Sequence, residues 1–82
     1  MNDREALDRI SVNSAVMVGK PVVKGTRLTV DYILNLLAHG ASVEEIVHEY
    51  AGLTAEDVRA CLLFAAKTLE DTSYMPLLVE HV

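Results

Sequence analysis

Three cations, Lys20, Lys24 and Arg27, lie within eight positions of one another, ahead of the acidic helical segments. Lysine and arginine side chains bind phosphate oxygens, so such a cluster is typical of contacts to a nucleic-acid backbone. Arg59, near the start of the last predicted helix, is the one further cation placed to reach a base edge. We predict DNA-phosphate contacts at Lys20, Lys24, Arg27 and Arg59. Solvated side chains around a turn explain the same cluster equally well.

The glycines and lysines of this stretch resemble a nucleotide phosphate loop only superficially. A Walker loop needs Gly, four residues and then Gly-Lys-Ser/Thr entering a helix. Here Pro21 stands inside the stretch and Lys24 precedes Gly25. We therefore expect no nucleotide site. We predict instead a structural turn made by Gly19, Pro21, Gly25 and Thr26, in which Gly25 takes a positive φ.

The types and spacing of the residues do not favour a metal site or a catalytic site. The three histidines, His39, His48 and His81, form no pair four positions apart with a Glu, and Cys61 stands alone, so we expect no metal site. Cys61 is interpreted as a small buried core residue. The carboxylates are spread along helix faces instead of being paired for acid–base catalysis. We expect neither an enzyme nor a cofactor.

Two capped helices joined by a short turn form the clearest pattern in the chain. Ser42 and Glu45 form a capping box, and Thr54 with Asp57 forms a shorter version of the same motif. The connection contains a glycine and has the spacing of a helix-turn-helix, which is also that of any αα-hairpin. If the second helix entered a major groove, Glu56 and Asp57 would face phosphates, which is unfavourable.

The segments before this pair predict a small β element and one more helix. Residues 9–12 alternate polar and apolar, as a half-buried strand does, and residues 22–23 favour extended structure at a sheet edge. A helix capped by Thr29 is then predicted to run to about Ala38, with Gly40 in the C-terminal αL cap.

The last helix, predicted from Ala55 to about Glu70, is apolar around most of its circumference. Its predicted inner stripe comprises Val58, Cys61, Leu62, Ala65 and Leu69. The apolar residues outside that stripe are Ala60, Leu63, Phe64 and Ala66. Because monomers seldom expose such a patch, we predict a homodimer interface at Leu63, Phe64, Ala66 and Lys67. The alternative is a wide stripe covered by the N-terminal segment.

The chain length and net charge limit the number of domains and the kinds of binding that the protein can have. The chain has 82 residues, 51% of them apolar, and is predicted to form a single domain, 1–82, that is marginally stable unless it dimerises. We divide it into a β-containing arm (1–28), a three-helix core (29–70) and a tail (71–82). The net charge of −5 argues against a protein that coats nucleic acid, but it is compatible with a local basic patch.

The residue composition predicts where the protein is located and whether its C-terminal tail binds another surface. A single cysteine, a charged N-terminus and the lack of a long apolar run predict a cytoplasmic protein without membrane attachment. The tail is apolar, whereas a free tail is usually polar, so it should dock on its own domain, on a second subunit or on another protein. The residues predicted to bind a partner are Leu77, Leu78, Val79 and Val82.

Residues 19–28 read Gly-Lys-Pro, two valines, Lys, Gly-Thr-Arg and Leu, a fairly specific pattern. This stretch resembles the hallmark of a small bacterial family of unknown function, DUF433. Residues 53–58, Leu-Thr-Ala-Glu-Asp-Val, match a second family pattern, although residues 51–53 lack a Pro often found there. The resemblance covers residues 9–66.

The resemblance implies a mainly α, homeodomain-like three-helix core with a helix-turn-helix, preceded by a short β-hairpin. It also implies an antitoxin-like protein, encoded beside a PIN-like toxin nuclease. Such antitoxins dimerise, bind operator DNA and block the nuclease with a C-terminal segment. A structural or interaction homodimer without DNA binding stays open, in which Arg27 binds a carboxylate across the dimer.

Overall fold

The computed structural model describes residues 2–12 and 19–70, which form a mainly helical unit with a short antiparallel sheet near its N-terminus. This confirms the predicted fold class. The elements are α1 (Asp3–Leu7), β1 (Ile10–Ser11), β2 (Val22–Val23), α2 (Val30–Ala38), α3 (Val43–Glu49) and α4 (Ala55–Glu70). None of these described helices is both long and apolar enough to cross a bilayer.

The sheet is a single pair of two-residue strands. Ile10 pairs with Val23 and Ser11 with Val22, so β1 is shorter than the predicted strand over residues 9–12. The Lys24 backbone N–H donates to the Arg9 carbonyl over 2.9 Å and extends the pairing by one bond. The sheet ties the N-terminal residues to the segment that enters α2.

The predicted helix caps are all present. The Thr29 hydroxyl accepts from the Tyr32 N–H at the start of α2. At the start of α3, the Ser42 hydroxyl accepts from the Glu45 N–H (3.0 Å) while the Glu45 carboxylate accepts from the Ser42 N–H (2.8 Å). Each of these contacts satisfies a backbone N–H that the first helical turn leaves without a partner. Gly40 follows α2 with φ +100°, as expected of an αL cap.

One hydrophobic core joins the helices to the sheet. Its fully buried large side chains come from β2, α2, α3 and α4 and are Val23, Ile33, Ile46, Val58 and Cys61. Burying a valine or isoleucine side chain stabilises the folded state by about 1.5–3 kcal/mol, so these few residues account for much of the packing between the helices and the sheet.

The buried face of α4 differs from the predicted stripe. Leu62 and Leu69 are 49% and 55% exposed, whereas Ala60, placed outside the stripe, is completely buried. Helix α1 packs along α4 and adds a second buried side to that helix. The alternative interpretation, cover by the N-terminal segment, therefore accounts for part of the apolar circumference.

Candidate functional site

The residues between β2 and α2, 24–29, form a hydrogen-bonded loop that carries Lys24 and Arg27 and is called the basic loop below. The Val23 N–H donates to the Leu28 carbonyl, and the Thr26 N–H donates back to the Val23 carbonyl, each over 3.0 Å. The Thr26 hydroxyl donates to the same Val23 carbonyl (2.8 Å) and accepts from the Leu28 N–H (3.0 Å). Thr26 thus fixes the turn, while Arg27 between these bonds stays exposed.

The other three residues of the predicted turn are Gly25, Pro21 and Gly19. Gly25 has φ +82°, and a Cβ placed there would meet no atom within 4 Å. Glycine is needed at this position for its backbone conformation and not for space. The Pro21 carbonyl accepts from the Val30 N–H over 2.9 Å and so connects the loop to the first residue of α2. Gly19 also has a positive φ, of 80°.

The four predicted phosphate contacts are all exposed. The Lys20 ammonium lies 3.6 Å from the Asp31 carboxylate. Because both side chains are more than half exposed, this ion pair contributes little to the stability of the fold. Within residues 2–12 and 19–70, Lys24, Arg27 and Arg59 have no ion-pair partner. These three cations are therefore available to an anionic ligand, and Lys20 is partly neutralised.

The start of α4 carries less exposed negative charge than we predicted. Asp57 was predicted to pair with Thr54 in a cap and, if α4 entered a major groove, to face phosphates; its side chain is nearly buried, with the residue 6% exposed. Its carboxylate accepts from the Arg9 guanidinium and from the Thr54 N–H, each over 3.0 Å. Because these two donors hold the carboxylate inward, only Glu56 and Arg59 present charge to solvent on this turn.

Two tyrosines that the sequence did not single out lie beside the basic loop. The Tyr32 and Tyr50 hydroxyls are 2.5 Å apart, and their rings meet edge to face. The hydrogen bond between the two hydroxyls raises the pKa of Tyr50, because the protonated Tyr50 phenol can donate to the Tyr32 oxygen. With Arg27 the two rings line a cavity of about 300 Å³. Their separation in sequence, on α2 and after α3, gave no signal for this contact.

The predicted dimer residues lie in different environments. Leu63 and Phe64 are half-buried and pack against the core of their own chain, while Ala66 is exposed. The Lys67 ammonium lies 3.7 Å from the carboxylates of both Asp3 and Glu70. Leu62 and Ala66, two exposed apolar residues of α4, are four residues apart and therefore share one face of the helix.

In the described part of the chain, the side chains that could bind a metal or act as nucleophiles do not cluster into one site. No group of three or more His, Cys, Asp or Glu side chains there is arranged to hold a metal ion. Cys61 is fully buried, and this burial, with the nearby Asp57 charge, raises the pKa of its thiol to about 11. A thiol with this pKa is protonated at neutral pH and does not act as a nucleophile. His39 is used locally, with its Nδ1 atom 2.7 Å from the Asn35 carbonyl.

The predicted partner-binding residues Leu77, Leu78, Val79 and Val82 lie outside the described residues, as does His81. The candidate residues that the structure describes fall into two groups: the basic loop with the tyrosine pair, which share a cavity, and the exposed start of α4 with Arg59.

Comparison with known proteins gives a family without an assigned activity. The family described as "Protein of unknown function (DUF433)" matches residues 10–65, which is more than half of the chain. An uncharacterized protein of Archaeoglobus fulgidus is 64% identical over 25 residues, which cover 30% of this chain and 69% of that protein. No solved structure matches the chain significantly.

Proposed function

This chain belongs to the DUF433 family, and from that premise we propose that it is a small regulatory binding protein, the antitoxin-like partner of a PIN-like toxin nuclease. In this proposal two copies associate, the dimer binds operator DNA and the C-terminal tail contacts the nuclease. The resemblance supplied the toxin–antitoxin expectation, and the surface of the described residues supports it as follows.

The observation that carries the proposal is the set of exposed cations without ion-pair partners in the described residues, Lys24, Arg27 and Arg59. Arg27 lies in a loop with four internal hydrogen bonds among Val23, Thr26 and Leu28, so little backbone freedom is lost when it binds a phosphate. The inward turn of Asp57 also removes a negative charge that would repel DNA at the start of α4.

Dimerisation is supported by the outer face of α4. Leu62 is 49% exposed, and Ala66, one turn further, is exposed as well. Two copies that pack these faces together would bury apolar surface, which favours association by about 25 cal/mol per Å². We place the dimer contact on Leu62 and Ala66, with Leu63, Phe64 and Lys67 at its margins.

A second candidate is a homodimer that does not bind DNA. The net charge of −5 and the exposed Glu56 at the start of α4 favour it. In that case Arg27 binds a carboxylate of the second subunit. The two candidates differ in one measurable property, since only the first predicts an affinity for DNA that falls steeply with salt.

The test uses the full chain, its own upstream DNA and the product of the neighbouring gene. We expect a mobility shift at low salt, light scattering at the mass of a dimer, and co-purification with a nuclease whose activity is inhibited. Leu62→Asp should yield a monomer, and Arg4→Ala, on the exposed face of α1, should change none of the three results. A dimer that neither shifts DNA nor retains the nuclease would overturn the proposal and support the second candidate.

A further inference from the structure

An apolar groove runs between α2 and α4. Its volume is about 510 Å³, within the range of cavities that hold ligand-sized groups. Val30 and Leu34 form the α2 wall, and Phe64 and Ala65 begin the α4 wall. The remaining lining residues lie at the margins and are Lys20, Pro21, Asp31, Thr68 and Leu69.

We propose that this groove is the docking site of the chain's own C-terminal segment, residues 74–82, folded back within the same molecule. The segment reads Tyr-Met-Pro-Leu-Leu-Val-Glu-His-Val and carries six apolar side chains besides its Pro. Both the segment and the groove would otherwise expose apolar surface to water, which is uncommon on a small soluble unit.

The position of the chain end suits this occupant. Helix α4 ends at Glu70, directly after two residues that line the groove, Thr68 and Leu69. Residues 71–73, Asp-Thr-Ser, have the side chains typical of a turn, and Pro76 disfavours a longer helix. The described part of α4 therefore ends beside the groove, and the residue types that follow favour a turn away from the helix axis.

The length of the segment is sufficient without a second molecule. Nine extended residues reach about 30 Å. The α4 wall from Phe64 to Leu69 rises only about 7.5 Å along the helix. The same molecule can therefore fill the groove, whereas docking into a second copy would add the cost of association.

The charge at the margin is also complementary. Lys20 has one weak partner, the carboxylate of Asp31 at 3.6 Å, and both are exposed. An ammonium group has three donor hydrogens, so Lys20 can also bind the carboxylate of Glu80 near the end of the segment. The only acidic residue among 74–82 is Glu80, and this pairing fixes the direction of the docked segment.

This inference goes beyond the proposed function and does not depend on it. If a nuclease binds the same tail, it must first withdraw the segment from the groove. Its apparent affinity is then reduced by the fraction of molecules in which the segment is docked. The test is made on the free protein, so its failure is distinct from the absence of a nuclease partner.

The decisive experiment is methyl NMR on the full wild-type chain. We expect NOEs from the methyl groups of Leu77, Leu78 and Val79 to Leu34 and Phe64. In a mixture of differently labelled molecules, these NOEs should be absent between copies. Random-coil shifts without NOEs in the tail, or NOEs found only between copies, would overturn the proposal in favour of a free tail or an exchanged one.

A matched pair of variants provides a second measurement. Ala65→Arg places a long charged side chain in the groove, whereas Ala38→Arg makes the same change at an exposed position of α2 that does not line it. A protease that cleaves after aromatic and large apolar residues should cut at Tyr74 and Leu77 about tenfold faster in A65R than in wild type or A38R. Equal rates in all three would contradict docking, and if A65R does not fold, the NMR result on the wild type decides.

Discussion

Arg9 and Asp57, which are 48 positions apart in the sequence, form an ion pair of 3.0 Å that joins the end of the N-terminal helix segment to the first turn of α4. The Asp57 side chain is nearly buried, whereas that of Arg9 is 40% exposed. The same carboxylate accepts from the Thr54 N–H, so one residue both caps α4 and fixes the N-terminal segment against it. The orientation of the first turn of α4, which carries Arg59, therefore depends on Arg9, a residue outside the three core helices.

Replacing Asp57 should destabilise the fold through both contacts. Asp57→Ala removes a cap contact and a charge-assisted hydrogen bond, and we expect a loss of about 2–3 kcal/mol in the free energy of unfolding. Asp57→Asn keeps an acceptor for the Thr54 N–H and should lose about 1 kcal/mol. Urea unfolding of both variants, of Arg9→Ala and of the double variant gives the coupling energy. Additive effects of Arg9→Ala and Asp57→Ala would contradict the pairing.

Gly25 offers a test of backbone strain without steric conflict. Because its φ is +82° and a Cβ added there would meet no atom within 4 Å, Gly25→Ala should cost only the left-handed conformation, about 1–2 kcal/mol. That corresponds to a fall in Tm of roughly 4–16 °C for a domain of this size. Gly25→Asn should lose less, since Asn tolerates this conformation better, and Lys24→Ala at the neighbouring exposed position is the control. A loss as small as that of the control would show that the turn relaxes.

The sequence was most informative where a structure depends on neighbours three or four residues apart. The caps at Thr29, Ser42 and Thr54 were predicted because each side chain bonds a backbone N–H three positions on. The burial of Ala60 and the ion pair between Asp57 and Arg9 were missed. Neither the packing of α1 along α4 nor a pair 48 positions apart leaves a local pattern in the sequence. The Tyr32–Tyr50 contact was missed for the same reason, because it joins residues 18 positions apart.

Cys61 should make stability depend on pH in the alkaline range. The pKa of its thiol rises from an ordinary value of 9.0 to about 11 in the folded state, so the unfolded chain releases this proton first. Below pH 9 the thiol is protonated in both the folded and the unfolded chain, and the stability is unaffected. As pH rises from 9 towards 11, the unfolded chain is favoured, and the free energy of unfolding falls by about 2–3 kcal/mol. Urea unfolding from about pH 8 to 11 should show a smaller decrease for Cys61→Ala than for wild type, because tyrosine titration is common to both. Parallel pH profiles would contradict a thiol held protonated by burial.

The DNA-binding part of the proposed function predicts a specific change in salt dependence. Each phosphate contact releases about one counterion, so Lys24→Ala, Arg27→Ala and Arg59→Ala should each reduce the slope of log affinity against log salt by about 1. Lys20→Ala should reduce it less, because Asp31 already neutralises part of its charge. Arg4→Ala removes an equal charge from the exposed face of α1, and a general field effect would appear there as well. Anisotropy titrations with upstream DNA at several salt concentrations measure these slopes. If the Arg4 and Arg27 variants lose the same amount, the basic loop has no direct contact with DNA, and its hydrogen-bonded geometry serves only to join β2 to α2.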